Sequence, residues 1–294
     1  MLSNSGLLGS CTSALCAGLL CTTWLHGVLA APNLTIQYSN HWLYIQGPHL
    51  PGEIQINYLE AYCRAGSTKA DWAKQTVIPH TTELISVSRN GKNIRLRDTL
   101  ADGLVVEHDI TAKRDEVDFR LVARNPTSAR SEAHWAQPCV RLSKFFGMDE
   151  KSAFNATDYL TNCFIFLDGK LTRLPTTPWA TEAKYVPGQV WRPASVPETD
   201  VNPRPLSPLI PSNGLIGAFS PDGKLIFATA WEPYQELFQG VIRCLHSDFR
   251  LGGIGPGETR KIRGKIYLMP ADIPALLKRY ARDFPEHIRP SSKK

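Results

Sequence analysis

Four dipeptides constrain this chain more than anything else in it: Asn90-Gly91, Asp102-Gly103, Asp168-Gly169 and Asp222-Gly223. Each lies between short β-rich runs and supplies the positive φ values that a two-residue hairpin needs to follow strand twist. They predict a meander: Glu83 to Arg89, Asn93 to Leu100, Leu104 to Thr111 and Val117 to Arg124, then a hairpin of Cys163 to Leu167 with Lys170 to Leu174. Ile54 to Arg64 alternates as a half-buried strand, with Tyr58, Glu60, Tyr62 and Arg64 on one face and Leu59, Ala61 and Cys63 on the other. Asn33 to Gln46 reads as a first edge strand, and Ala133 to Leu142 as a strand carrying His134, Trp135, Gln137, Cys139 and Arg141. The fold class is all-β, a large two-sheet antiparallel sandwich.

One helix stands out, at the end of the chain. Asp272 caps it, Ile273, Leu276, Leu277 and Tyr280 share a face, and Phe284-Pro285 stops it. The division expected is residues 1–30 as a removable leader, 31–271 as the β domain, and 272–294 as helix and tail. Between Pro175 and Pro211 nine prolines preclude regular structure, while Trp179, Tyr185 and Trp191 imply a surface segment that acts as a lid.

The chain from Phe227 to Leu268 is the densest in chemistry. A strand from Lys224 to Trp231 delivers Trp231, Glu232, Tyr234, Gln235 and Glu236 at its end. A second run, Gln239 to Leu245, ends in His246, Ser247, Asp248 and Arg250, and a glycine-rich turn leads to a last strand, Lys261 to Leu268.

Composition narrows the functions. A net charge of +6 with no basic stripe argues against nucleic acid. No His-x-His, Cys-x-x-Cys, phosphate loop or Gly-x-Ser-x-Gly elbow occurs, so no metal and no cofactor are expected. No residue from Met1 to His49 carries a full charge, and the apolar run 14–21 leads to small residues near Ala30 and Ala31. That pattern predicts an export signal, a secreted or periplasmic protein, and no integral membrane segment in the mature chain. Cys63, Cys139, Cys163 and Cys244 remain; they either pair, in one of three ways, or stay buried and free. Asn33-Leu34-Thr35 and Asn155-Ala156-Thr157 fit the glycosylation acceptor pattern.

What remains is carboxylate, imidazole, guanidinium and aromatic chemistry, the set suited to holding sugars and moving protons on them. Two blocks, EVDFRLVARNPTSARSEAHWAQPCVRL and ATAWEPYQELFQ followed by GGIGPGETRKIRGKIYL, resemble the galactose mutarotase-like supersandwich of aldose epimerases and related carbohydrate-active domains. The resemblance spans roughly Ile54 to Leu268. It implies a sugar-contacting His134, a general base at Glu232 and a sugar-binding amide at Gln235. The family's second, mid-chain His has no counterpart between His134 and His246. The expected site is therefore Glu232 and His134 as catalytic pair, with Arg64, Trp135, Gln137, Trp231, Tyr234, Gln235 and His246 binding a carbohydrate ligand. The alternatives are a non-catalytic carbohydrate-binding module and a structural or partner-binding sandwich.

Overall fold

The computed structural model describes residues 33–66, 72–149, 159–176, 188–202, 205–240 and 242–288. The expected leader with Cys11, Cys16 and Cys21, the acceptor pattern at 155–157, Trp179, Tyr185 and the residues beyond 288 lie outside them.

The described residues include seventeen strands: β1 Thr35–Ser39, β2 Trp42–Gln46, β3 Ile54–Cys63, β4 Val77–Ile78, β5 His80–Val87, β6 Asn93–Leu100, β7 Val105–Ala112, β8 Glu116–Arg124 and β9 Trp135–Arg141 in the first half. The second half adds β10 Cys163–Leu167, β11 Lys170–Arg173, β12 Gly188–Trp191, β13 Ile216–Phe219, β14 Leu225–Glu232, β15 Tyr234–Gly240, β16 Cys244–Arg250 and β17 Thr259–Pro270, then helix α1, Ile273–Asp283. They form two antiparallel sheets. One runs β1-β2-β3-β9-β16-β15-β12, with β4 on β3; the other runs β11-β10-β13-β14-β17-β8-β7-β6-β5. Their facing sides share one apolar core that includes Ile56, Ile94, Val106, Phe119, Val140, Trp231, Leu245 and Phe249.

The turns fall at the four dipeptides, but only Asp168-Gly169 is a two-residue turn with both φ positive; the other three loops take four or five residues between strand ends. Gly91, Gly103, Gly169 and Gly223 all have φ between 64 and 88°, so each supplies the left-handed residue that closes its turn. β5 is an exposed edge, with a bulge between Leu84 and Ser86. On α1, Asp272 accepts from the Ala275 N–H at 2.9 Å, and Leu276, Tyr280 and Phe284 pack in a second cluster with Phe164, Phe166, Ile226, Ala228, Tyr267 and Met269.

Four more sequence expectations need correcting. The first edge strand is a hairpin: Asn40 and His41, with φ of 50 and 66°, turn the chain between β1 and β2 without a glycine to announce it. On β3 a bulge between Asn57 and Ala61 breaks the alternation, sending Tyr58 and Tyr62 into the core and leaving Glu60 exposed. The run expected from Gln239 to Leu245 is instead the end of β15, at Gly240, and the start of β16, at Cys244, so His246, Asp248 and Arg250 stand within β16, not after a strand. Finally, the proline-rich segment does contain regular structure: β12 pairs with β15, and Trp191 is fully buried. Gln189 and Val190 lie where no proline interrupts the ladder.

Candidate functional site

The site is built on the face of the eight-stranded sheet that looks away from the core. On β9, Ala136 and Val140 belong to the core, so Trp135, Gln137, Cys139 and Arg141 point outward. On β16, Leu245 and Phe249 face the core, so Cys244, His246, Asp248 and Arg250 point outward. On β15 a bulge between Tyr234 and Glu236 inserts Gln235 and turns its amide toward the same side. β12 forms the edge of this sheet and the residues after it, 192–202, cross its outer face; the two together, 188–202, are here called the strap. Val190, Val196 and Val201 pack on Cys139, Phe238 and Cys244, and the Asn202 N–H donates to Glu236 Oε2 at 2.9 Å.

At one end of the strap four groups converge. Asp200 Oδ2 lies 3.6 Å from His134 Nδ1 and 2.9 Å from Arg250 Nη1. Arg250 Nη1 also donates to Gln235 Oε1 at 2.5 Å, and Gln235 Nε2 donates to the Asp200 carbonyl. Burial pushes the Asp200 carboxyl up, but His134 and Arg250 beside it outweigh that and hold it below the ordinary range. Two buried atoms of this group, His134 Nδ1 and Asp200 Oδ1, make no hydrogen bond among the described residues. His134 opens on a surface cavity of about 420 Å³ lined by Arg64, Ala65, Arg130, Ser131 and Glu132. Arg64 is fixed there by Glu132 at 2.7 Å and by the Val77 carbonyl at 2.9 Å, and Arg130 donates to the Gly253 carbonyl at 2.7 Å. Gly253, with φ of 68°, has no Cβ to press against the His134 ring; one there would lie 3.0 Å from Nε2.

Deeper under the strap, His246 Nδ1 lies 3.4 Å from Asp248 Oδ1, with the Phe238 ring edge-on at 4.9 Å. Gln137, beside them, donates to Glu60 Oε2 at 2.9 Å. Burial pushes the Asp248 carboxyl up to about 6 against the pull of His246, and Glu60 adds to the rise. Burial works against charging His246, but Asp248 and Cys244 outweigh it and lift the imidazole to about 10. Cys244 is lowered, by the Cys139 thiol donating to it and by His246.

The expected site residues thus divide. His134 and Arg64 line the cavity, and Gln235 supports it from behind. Gln137 and His246 lie on the same sheet face under the strap, and Trp135 is fully buried beside Trp72 at 5.9 Å. Trp231 is packed between Phe119 and Phe249 in the core, with ring centroids at 5.1 and 4.8 Å. Glu232 belongs to a different network: it accepts from His287 Nε2 at 2.5 Å, Tyr280 donates to His287 Nδ1, and the Gly214 N–H donates to Tyr280 at 2.8 Å. Tyr234 packs edge-on to His287 at 5.3 Å. Asp200 is the participant that sequence reasoning missed; its only local signal was its position in a proline-rich segment expected to cover a site.

No family model matches the sequence, and no curated protein does. Among solved structures, the chain is similar to a putative aldose 1-epimerase from Escherichia coli K12, at 10% identity over 81% of this chain and 99% of that one, with a TM-score of 0.43. It is also similar to a galactose mutarotase-like protein from Lactobacillus casei, at 6% identity over 80% of this chain and 99% of that one, with a TM-score of 0.37. An α-mannosidase from Enterococcus faecalis V583 is 7% identical over 88% of this chain and 31% of that one, with a TM-score of 0.47. These likenesses are distant, with TM-scores of 0.37 to 0.47.

Proposed function

We propose that this chain is an exported carbohydrate-active protein that binds a sugar in the cavity at His134. The observation that carries the reading is the lining: five of its six residues, Arg64, Arg130, Ser131, Glu132 and His134, offer hydrogen-bonding side chains, and only Ala65 does not. Such a pocket suits a polyhydroxylated ligand better than an apolar one. In this reading His134 contacts the sugar, Asp200 orients the imidazole, and Arg250 with Gln235 fixes Asp200. An imidazole held by a carboxylate can pass a proton to or from a sugar hydroxyl or ring oxygen, which is the chemistry of acid/base catalysis on reducing sugars. Glu232, saturated by His287, holds the C-terminal turn in this arrangement.

The test is a glycan-array screen of the full chain, followed by calorimetry and incubation with the best ligand. Binding that His134→Ala weakens at least ~10-fold, about 1.4 kcal/mol, supports the reading. No affinity for any glycan, or affinity untouched by His134→Ala, overturns it. Turnover of the bound sugar separates an enzyme from a binding module. The uncharged apolar start supports export, and N-terminal sequencing of exported protein checks it; material that retains Met1 would refute cleavage near Ala30.

A further inference from the structure

Beneath the strap, two sulfurs and an imidazole converge at a place the sugar reading does not use. Cys244 and His246, two residues apart on β16, share a face; Cys139 stands across from His246, one pair beyond Leu245↔Val140 in the register with β9. The two Sγ atoms and an imidazole nitrogen lie within 4.8 Å of one another, and all three residues are buried. A tetrahedral zinc with Zn–S bonds of about 2.3 Å holds its sulfurs about 3.8 Å apart, a spacing this cluster can meet by side-chain rotation.

We propose that Cys139, Cys244 and His246 form a zinc site that ties β9 to β16 under the strap. The donor set selects the metal: two thiolates and an imidazole suit zinc, whereas magnesium and calcium want oxygen. His246 supplies an independent reason. Among the described residues neither of its ring nitrogens makes a well-formed hydrogen bond, although Asp248 and Cys244 lie beside them, a costly condition for a buried polar ring. Nδ1 lies toward Asp248 at 3.4 Å, which leaves Nε2 for the metal and makes Asp248 the carboxylate that orients a metal-bound histidine. Val190, Val196, Val201 and Phe238 pack around the sulfurs, and with three protein donors the fourth tetrahedral position would be taken by water. Arg141 lies within electrostatic reach of both sulfurs and compensates thiolate charge. The donors are 105 residues apart in the chain at their widest thiol spacing (244 minus 139), which is why no local motif signals them.

The full chain, purified under reducing conditions and stripped with chelator, is titrated with cobalt and with zinc. The expected result is about one ion per chain, a near-ultraviolet thiolate-to-cobalt band, displacement of cobalt by zinc, and a higher Tm with zinc. Cys244→Ser and Cys139→Ser each abolish the band, Asp248→Asn weakens zinc binding ~10-fold, and Cys163→Ser, a buried thiol outside the cluster, changes nothing. Circular dichroism establishes that each variant is folded; should either cysteine variant not fold, alkylation protection decides, with zinc shielding Cys139 and Cys244 in the wild type but not Cys163. Failure of the wild-type chain to bind cobalt or zinc, a band that survives Cys244→Ser, or recovery of a Cys139–Cys244 disulfide in place of metal overturns the proposal.

Discussion

Four histidine–carboxylate pairs occur among the described residues, and they fall into two kinds. His108 and Asp98, 3.0 Å apart between the sheets, are largely completed by tyrosines: Tyr58 bonds His108 Nδ1 at 2.8 Å and Tyr62 donates to Asp98 Oδ2 at 2.6 Å, which leaves Asp98 Oδ1 as the one atom of the pair without a hydrogen bond. His287 and Glu232 are likewise completed, by Tyr280. His246–Asp248 and His134–Asp200 have no tyrosine, sit at 3.4 and 3.6 Å, and leave buried nitrogens and oxygens without hydrogen bonds. A buried polar group that the fold completes is part of the fold; one that it leaves open awaits something else. One incomplete pair, His246–Asp248, lies under the strap, and the other joins the strap residue Asp200 to His134.

The largest test of that contrast is stability. His108→Ala should cost about 3–5 kcal/mol, because it leaves Asp98 charged and buried. His246→Ala in metal-free protein should cost distinctly less, since its contact with Asp248 is longer, at 3.4 Å, and no tyrosine completes the pair. Urea denaturation measures both, and equal losses would erase the distinction.

Acid provides the second test. Burial alone would raise the Asp98 carboxyl, but His108, Tyr62 and Thr82 beside it outweigh that and hold it at about 2. Because the folded value lies below the unfolded one, the stabilisation is complete above the ordinary carboxylate range and is lost as pH falls from about 4 through about 2. On the order of 2 kcal/mol should disappear over that window in the wild type and not in Asp98→Asn. Parallel acid profiles for the two proteins would show that Asp98 is not held as described.

Ligand binding sharpens the comparison further. Asp200→Asn should weaken sugar binding about 10-fold, roughly 1.4 kcal/mol, while Glu232→Gln, a change in a completed pair, should leave it within a factor of about 2. The reverse order would return Glu232 to the centre of the site. The smallest effect belongs to Phe238→Leu, which keeps the apolar contact but removes the edge-on ring from His246; a loss of about 1 kcal/mol is expected by thermal unfolding. A loss of several kcal/mol would mean that this ring supports the strap as a whole.

Much of the scaffold could be read in advance because it is encoded locally. β6 begins and ends where its Asn-Gly and Asp-Gly turns require, and Asp272 caps α1 as its sequence context implies. The β1–β2 turn was hidden because Asn40-His41 adopts left-handed conformations that glycine normally advertises. β15 and β16 were misplaced for a different reason. Glu236, His246 and Asp248 look like loop residues when a strand is assumed to expose its polar side, yet the strap buries that side as well. The site suffered from the same blindness: His134 and Gln235 could be singled out by residue type, but Asp200 acquires meaning only when a segment 66 residues beyond His134 folds across the sheet (200 minus 134).

That last separation bears on the order in which the molecule forms. Hairpins such as β6–β7 close loops of a few residues, whereas β12 reaches β15 across a long excursion whose entropic cost must be met before its contacts repay it. The strap should therefore dock late and open early. Native-state amide exchange should show Val190 N–H, bonded to the Pro205 carbonyl, exchanging well before Leu96 and Ile110 in the meander. Simultaneous exchange would mean that the two closures are one event. If they are separate, the protein can retain its sandwich while its cavity and its buried sulfurs become briefly accessible, so that ligands gain entry through partial unfolding and without a dedicated hinge.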